Sequence, residues 1–351
     1  MKLLKYLLGV VVLFLAFFVF FAMIVQLLSW FDLLPRGSIL QMLTFIPARA
    51  LALVVLLVAV VGWIFRWRKF VFGLVFLTTL YCPVCGDYSA RSFLSYGQPA
   101  SAGKRLSVAT LNERYFFSGA GALVDAVKTM DADVVLLSEN VLGRRDLDLV
   151  TERFKPYKFM MGKQFETAIA TRLPVLSFRE VLFPSHQASL SLGNEEKYQA
   201  YNSHRAFTHA VVDVGGVRVN VLSVRLIAGR AKDKTLSENL AWGWYLFRVQ
   251  LGEVLFLRQY VESLQGPVVF AGDMNATPPS RIVRDIAAFA SDMFLDSRTF
   301  GRTTFPSYNR PGVRLDYIFG RNGVRAAGAE VLNLSVSDHF PVRADLVISN
   351  Q

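Results

Sequence analysis

The chain has 351 residues, of which 53% are hydrophobic, 13% aromatic and 19% charged, and its formal net charge at pH 7 is +11. This composition excludes a disordered chain, a collagen-like fibre and a small domain stapled by disulfides, and the length suggests two domains at most. Residues 1–98 carry eight basic and two acidic residues, so more than half of the net charge lies beside apolar segments. Such basicity is typical of membrane-flanking regions and does not by itself indicate nucleic-acid binding.

Three apolar runs predict transmembrane helices over about residues 6–28, 45–65 and 70–84. About 20 apolar residues in a helix span the hydrocarbon core of a bilayer. In the first run, residues 17–21 are mainly phenylalanine where a signal peptide would have its small-residue cleavage site, so this helix is expected to be retained. The third run is of marginal length, and a buried core helix is its alternative interpretation.

Basic residues in the short loops predict the orientation of these helices. Lys2 and Lys5 precede the first run, and Arg66, Arg68 and Lys69 separate the second from the third. With both clusters cytoplasmic and three crossings, the following residues face the periplasm or the exterior, whereas two crossings would leave them cytoplasmic. We therefore expect an integral protein of a bacterial inner or plasma membrane, with the lipid bilayer as a partner and no obligate protein partner.

Residues 1–85 are accordingly assigned to a membrane anchor, residues 86–104 to a linker and residues 105–351 to a catalytic domain. The linker contains Ser, Gly, Pro and Tyr, as irregular connections commonly do. Cys82 and Cys85, the only two cysteines, lie at the outer end of the third run, where they form either a local disulfide or two free thiols.

After residue 105 the pattern changes to short β runs that alternate with helical stretches. The predicted strands are Leu106–Leu111, Val134–Ser138, Thr167–Thr171, Phe207–Val214, Val217–Leu226, Val268–Ala271, Leu315–Phe319 and Val342–Ile348, and the predicted helices are Ala120–Met130, Leu236–Leu264 and Ile282–Ala290. Two of these strands meet across Gly215 and Gly216, which predicts a hairpin and excludes a purely parallel sheet. The pattern indicates an α/β fold of the α+β type, with mixed sheets and helices outside them.

Polar residues follow or precede several of these strands, where a core would not favour them. They are Asn112, Glu139, Asp273, Asn275, Asp316, Asp338 and His339. Since residues at strand ends commonly converge in one crevice, we expect these seven to lie together. Carboxylate and amide oxygens are ligands that suit a hard cation such as Mg²⁺.

Six motifs containing these residues resemble, in order and spacing, the endonuclease/exonuclease/phosphatase superfamily, which includes DNase I-like nucleases, abasic-site endonucleases, sphingomyelinases and inositol phosphatases. The motifs are ATLN at 109–112, VVLLSE at 134–139, AIATRLP at 168–174, GDMNATP at 272–278, RLDYIF at 314–319 and SDHFPV at 337–342. The resemblance implies two packed mixed β-sheets flanked by helices, a DNase I-like four-layer sandwich. The preceding apolar runs resemble a membrane-anchored bacterial branch of the superfamily.

The resemblance also implies a role for each motif residue in metal-dependent hydrolysis of a phosphoester. Glu139, Asn112 and Asp338 correspond to metal-site residues, with Mg²⁺ or Mn²⁺ as the cofactor. Catalytic roles fall to His339 with Asp338 beside it, to Asp273 and Asn275, which orient the attacking water and the phosphate, and to Asp316, which supports that site. Nucleic acid, a phospholipid headgroup and a small phosphate ester all fit such a site as substrates.

Two positions depart from the family pattern. Ser138 stands where most relatives have Gln, and Arg225 stands where they have His. An arginine stays protonated and cannot act as a base, but it can hold a substrate phosphate. His204 or His209 could replace the missing histidine. An alternative function is a catalytically impaired family member that binds phosphorylated ligands or partners.

Overall fold

The computed structural model describes residues 2–30, 33–34, 39–46, 48–64, 68–85, 103–114, 119–139, 152–164, 166–183, 205–228, 235–297, 303–307 and 312–349. These residues form two compact units. The first unit contains the described residues before position 95 together with Thr277–Arg284, and the second contains the others. Most of the predicted linker, residues 86–104, lies outside the described residues.

The first unit is helical. Its elements are α1 (Lys2–Trp30), a short 3₁₀ helix (Ile39–Phe45), α2 (Ala48–Ile64) and α3 (Arg68–Cys85). Val12, Ala16, Val19 and Met23 of α1 recur at the spacing of one helix face and are buried in a cluster with side chains of α2 and α3. The core of this unit is therefore apolar helix-on-helix packing. The side chains of Cys82 and Cys85 lie outside the described part, and their pairing stays a prediction.

One stretch among the described helices is long and apolar enough to cross a bilayer: Gly9–Ser29, with 21 residues and a mean hydropathy of 2.9. A shorter apolar stretch, Leu51–Ile64, lies in α2. Phe14 and Phe17 of α1 are each 68% exposed, although large apolar side chains usually avoid water. Their exposure is compatible with contact between α1 and lipid. The three predicted crossings remain a prediction.

One buried polar side chain, Gln26 of α1, links three elements of this unit. Its Nε2 donates hydrogen bonds to the carbonyl oxygens of Leu43 at 2.8 Å and Ile46 at 3.0 Å. Its Oε1 accepts a hydrogen bond from the hydroxyl of Tyr81 in α3. The amide is therefore satisfied on both sides by partners outside α1.

The second unit contains twelve described strands and the helices between them. The strands are β1 (Lys104–Asn112), β2 (Val134–Ser138), β3 (Lys158–Met161), β4 (Thr167–Thr171), β5 (Val175–Leu182), β6 (Ala206–Val214), β7 (Val217–Ser223), β8 (Val268–Asp273), β9 (Ser291–Asp292), β10 (Asp316–Arg321), β11 (Val324–Val331) and β12 (Val342–Ile348). The helices that follow α3 along the chain are α4 (Gly119–Met130), α5 (Leu236–Ser263), α6 (Arg281–Ala287) and α7 (Met293–Asp296). The residues of α6 up to Arg284 belong to the first unit.

The strands form two six-stranded sheets, in the orders β11-β12-β1-β2-β4-β3 and β5-β6-β7-β8-β10-β9. Both are mixed, since β1 pairs with β2 and β7 pairs with β8 in parallel while the other pairs are antiparallel. Side chains of both sheets, such as Val108 and Val221, share one apolar core. On the other face of the first sheet, Leu123 and Val127 of α4 pack against Leu111 and Leu137. The predicted fold of two packed mixed sheets with outer helices is confirmed.

Several element boundaries differ from the sequence prediction. Four strands were not predicted, namely β3, β5, β9 and β11, because they are short or lack a clean apolar alternation. The predicted strand over Val217–Leu226 ends at Ser223, where the ladder with β6 stops. The chain beyond it still follows β8, because Val224 N donates to Ala271 O at 2.9 Å and Leu226 N donates to Asp273 O at 3.0 Å. The segment that carries Arg225 thus continues along β8 after its pairing with β6 has ended.

Candidate active site

The polar residues at the strand ends meet at one edge because of how the strands run. β1 and β2 are parallel with Asn112 opposite Ser138, so Asn112 and Glu139 leave the first sheet at the same edge. In the second sheet, the end of β8 at Asp273 is paired with the start of the antiparallel β10 at Asp316. Asn112 Nδ2 donates a 3.0 Å hydrogen bond to Asp273 Oδ2, which joins the edges of the two sheets.

Asp273 lies at the centre of this site and is 1% exposed. Its Oδ1 accepts a 2.8 Å hydrogen bond from the backbone N–H of Asn275, and its Oδ2 accepts the bond from Asn112. Burial raises the pKa of Asp273 to about 6, and the nearby His339 opposes that rise. The carboxylate is therefore fixed by two donors and is ionised at neutral pH but not at mildly acid pH.

His339 is held by Asp316, not by its sequence neighbour. His339 Nδ1 lies 2.8 Å from Asp316 Oδ2, and both side chains are buried. Burial lowers the pKa of His339, but the charges of Asp316, Asp273 and Asp338 outweigh it and raise the pKa to about 9. The imidazole is thus an imidazolium at neutral pH, which makes it a proton donor and a source of positive charge.

Among the described residues, Asp273, Asp316 and His339 each offer a ligand atom, and these atoms lie within 4.8 Å of one another. Asp316 Oδ1 is buried and has no hydrogen-bond partner within the described part of the chain. A buried carboxylate oxygen without a donor is costly unless a cation or a substrate proton faces it. The donor set of this edge, made of carboxylates and an amide, fits a hard divalent cation.

Arg225 and Glu139 form an ion pair at the same edge. Arg225 Nη2 lies 2.6 Å from Glu139 Oε1, and the two side chains are 8% and 15% exposed. Arg225 Nη1 also lies 3.4 Å from Glu166 Oε1. The arginine that replaces the expected histidine therefore contacts the predicted metal-binding glutamate directly.

Buried charges fix the backbone of Arg225. Arg205 Nη2 donates a 2.8 Å hydrogen bond to the carbonyl oxygen of Arg225, and Arg205 Nε pairs with the buried carboxylate of Glu253. The other oxygen of Glu253 accepts a 2.8 Å hydrogen bond from the N–H of Ile227. Helix α5, through Glu253, therefore anchors the irregular segment at Arg225 and at Ile227.

Asp338 pairs with a residue that the motifs did not indicate. Its Oδ2 lies 3.3 Å from Arg114 Nε, and its Oδ1 lies 3.3 Å from the hydroxyl of Ser337. The carboxylate hydrogen-bonded to the His339 imidazole is that of Asp316, and the catalytic role of Asp338 remains a prediction. Neighbouring residues point their side chains in different directions, so adjacency in sequence does not establish a contact.

The turns that carry the site have unusual backbone geometry. Glu139 and Asn275 adopt positive φ angles of 57° and 47°, which cost non-glycine residues about 1–3 kcal/mol each. Asn275 Nδ2 donates a 2.8 Å hydrogen bond to the carbonyl oxygen of Leu226, and this bond holds its turn in place. At Gly272 a Cβ atom would overlap the carbonyl oxygen of Val224, so glycine allows β8 to approach the segment that carries Arg225.

His209, one of two candidate replacements for the missing histidine, has structural partners. Its Nδ1 lies 2.8 Å from the hydroxyl of Tyr260 in α5, and its Nε2 lies 3.0 Å from Asn220 Oδ1. Burial lowers the pKa of His209 to about 4, so the ring is neutral. His209 therefore joins β6 to α5 and β7, and the structure gives it no bond to the site residues described above. The other candidate, His204, lies outside the described residues.

The buried neutral ring of His209 is expected to make folding sensitive to mild acid. The folded-state pKa of His209, about 4, lies below the ordinary value of 6.5. Between these two values the unfolded chain binds a proton at His209 and the folded chain does not. Stability should therefore fall as the pH drops from about 6.5 towards 4. Denaturant unfolding at several pH values should show a shallower fall for His209→Gln than for the wild type. If the free energy of unfolding depended on pH equally in the wild type and in His209→Gln, His209 would not be the buried neutral group responsible.

Sequence reasoning missed Arg114, Glu166, Arg205 and Glu253. Glu166 directly precedes the predicted strand at Thr167, so the same signal that indicated Glu139 could have found it. Arg205 and Glu253 carried no such signal, because a charge pair buried between distant segments leaves no local pattern.

Comparisons with known proteins identify the family and the fold of the second unit. A model of the endonuclease/exonuclease/phosphatase family matches residues 109–339. Among solved structures, D. rerio TDP2 complexed with a single-strand DNA product is 19% identical, with a TM-score of 0.51 over 69% of this chain and 98% of that one. A family member from Bacteroides vulgatus is 15% identical, with a TM-score of 0.51 over 70% and 99% of the two chains.

A third structure, from Beutenbergia cavernae, is 18% identical, with a TM-score of 0.52 over 70% and 72% of the two chains. At these identities the solved structures show the shared fold. No curated protein matches the chain. The family match itself extends from the first strand of the second unit to the buried histidine of the site, and the chain therefore belongs to the endonuclease/exonuclease/phosphatase family.

Proposed function

We propose that this protein is a membrane-anchored, divalent-metal-dependent phosphoesterase of the phosphodiesterase or nuclease-like kind. The observation that carries the proposal is the buried cluster of Asp273, Asp316 and His339, whose carboxylate and imidazole atoms lie within 4.8 Å of one another. A carboxylate and an imidazolium of shifted pKa, fixed by separate partners, form an acid–base pair suited to hydrolysis near neutral pH.

The oxygen ligands of the same edge would hold the metal. Because the His339 imidazole is already bonded to Asp316, we assign the cation to Glu139, Asn112 and Asp338, as the family resemblance suggests. Mg²⁺ and Mn²⁺ both favour such oxygen ligands. When bound, a divalent cation neutralises the phosphate and stabilises the leaving oxygen.

The protein's own groups supply the proton transfers. The ionised Asp273, held by Asn112 and the backbone of Asn275, accepts a proton from the attacking water. The His339 imidazolium, held by Asp316, places a positive charge beside the phosphate and donates its proton to the departing oxygen. Arg225 and the Asn275 side chain are proposed to contact the substrate phosphate.

The substrate is proposed to be a phosphoester, with nucleic acid, a phospholipid headgroup and a small phosphate ester as the three classes to test. The structural likeness to D. rerio TDP2, which was solved with a single-strand DNA product, favours including DNA. The purified full-length chain should hydrolyse at least one class, lose that activity with a chelator and regain it with Mg²⁺ or Mn²⁺. A preparation of His339→Ala made in parallel excludes contaminating enzymes.

The second candidate function is a catalytically impaired domain that binds phosphorylated ligands or partners. The ion pair between Arg225 and Glu139 favours this second function, because a guanidinium bound to this carboxylate can take the place of the metal ion. Absence of hydrolysis in every class, while Mn²⁺ binds, would select this function over the enzyme.

We further propose that the catalytic domain lies outside the cytoplasm, following three membrane crossings by helices α1, α2 and α3. A reporter that functions only outside the cytoplasm should be active when fused after Gln351. The same reporter fused after Lys69, at the cytoplasmic loop, should be inactive. Inactive reporters at both positions would mean that only two of the three helices cross.

A further inference from the structure

Two acidic side chains share the Arg225 guanidinium at the edge of the first sheet. β2 and β4 are antiparallel with Ser138 opposite Thr167, so the next residue after β2, Glu139, and the residue before β4, Glu166, lie side by side. Arg225 Nη2 lies 2.6 Å from Glu139, and its Nη1 lies 3.4 Å from Glu166. The shorter distance shows that the guanidinium rests mainly on Glu139.

Glu166 has capacity for a closer contact with that guanidinium. Its Oε1 is shared with Arg205 Nη1 at 3.2 Å, whereas its Oε2 is buried and has no hydrogen-bond partner among the residues that the structure describes. The backbone of Arg225 is fixed by the bond from Arg205, so a change of side-chain rotamer alone would move the charge between the two carboxylates. A planar guanidinium can bind a carboxylate through two parallel hydrogen bonds.

The guanidinium and a divalent cation would compete for Glu139. An arginine stays charged in proteins, so it cannot make way for a second cation by losing its proton. A cation on Glu139 would therefore face a like charge at close range unless the guanidinium turns away. Glu166 is the neighbouring carboxylate that could receive it.

We propose that Glu166 is a positioning residue that takes up the Arg225 guanidinium when Glu139 binds a divalent cation. This inference rests on the proposed function, because it requires Glu139 to be a metal ligand. It assigns to Glu166 a role in metal loading through Arg225, without contact with the substrate or the ion.

Mn²⁺ affinity of the full-length chain in detergent, measured by calorimetry without substrate, tests the proposal. Arg225→Gln should bind Mn²⁺ more tightly than the wild type, because the competing charge is gone. Glu166→Gln should bind it more weakly, because Arg225 then has Glu139 as its main acceptor. Each change is expected to be about 5- to 50-fold, which lies within the range of coupling measured between contacting residues.

The Mn²⁺ affinity of the double variant is the decisive measurement. In the Arg225→Gln background, Glu166→Gln should change Mn²⁺ affinity less than twofold, since the group through which Glu166 acts is absent. Glu262→Gln removes the same charge from an exposed ion pair with Arg258 and should leave the affinity unchanged. Glu139→Gln should lose the binding, which locates the ion.

Three results would overturn the proposal: unchanged Mn²⁺ affinity in Glu166→Gln, an equal loss in both backgrounds, or no Mn²⁺ binding to wild type and Arg225→Gln alike. Circular dichroism of each variant separates a loss of binding from a loss of folding. An inert protein with the expected affinity pattern would refute the proposed hydrolysis and leave the role of Glu166 standing. An active protein whose variants all bind Mn²⁺ equally well would support the proposed hydrolysis and refute the role of Glu166.

Discussion

His339→Ala is expected to lower phosphoester turnover by about 10²–10⁴-fold, the usual contribution of a positioned acid or base. The wild-type imidazolium is held 2.8 Å from Asp316, and its pKa of about 9 keeps it protonated at neutral pH. Alanine removes both the proton and the positive charge. The measurement is kcat at saturating substrate and metal, with His209→Gln as the matched control, because His209 lies among structural partners.

The pH profile distinguishes a catalytic His339 from a structural one. If the protonated ring is required, wild-type activity should fall as the pH rises through about 9. Asp316→Asn removes the nearest negative charge, so the basic limb of the profile should move to lower pH. Retained turnover in His339→Ala, or an unmoved basic limb in Asp316→Asn, would contradict the assigned acid.

Asp273→Asn is expected to lower kcat by a similar factor of about 10²–10⁴. The substitution keeps the size of the side chain but removes the charge that accepts the proton. It also places an amide where Asn112 Nδ2 and the Asn275 N–H require an acceptor on each side. The carboxylate pKa of about 6 predicts that wild-type activity declines as the pH falls below about 6.

A matched substitution controls for the loss of an aspartate charge elsewhere. Asp125→Asn makes the same chemical change at an exposed position of α4 and should leave kcat within twofold of the wild type. If Asp273→Asn retained wild-type kcat and the same acid limb, the proton acceptor would have to be another group.

Much of the fold could be predicted because the strands that build the site are apolar and end in polar residues. Val134–Ser138 and Val268–Asp273 are buried throughout, so a continuous apolar run indicated each of them. By contrast, β11 reads VRAAGAEV, where alanine and glycine give little strand signal. Its position follows from pairing with β12, a contact that a local pattern does not reveal.

The partners within the site could be predicted less well than its members. Arg225 and Glu139 are 86 positions apart, and their contact depends on the meeting of two sheets. The pairing of His339 with Asp316 depends in the same way on the start of β10 lying beside the segment before β12. A motif gives the residue types that the chemistry needs, whereas tertiary packing decides which of them touch.

The hydrogen-bonded amide of Gln26 has a consequence for the proposed membrane anchor. Pulling α3 or the 3₁₀ segment away from α1 would leave a hydroxyl, an amide or carbonyl groups facing hydrocarbon, where no water can replace the lost partner. Hydrogen bonds between membrane helices contribute to the association of those helices. In the proposed membrane anchor, α1, the 3₁₀ segment and α3 would therefore move together, with their relative rotation fixed by the bonds to Gln26.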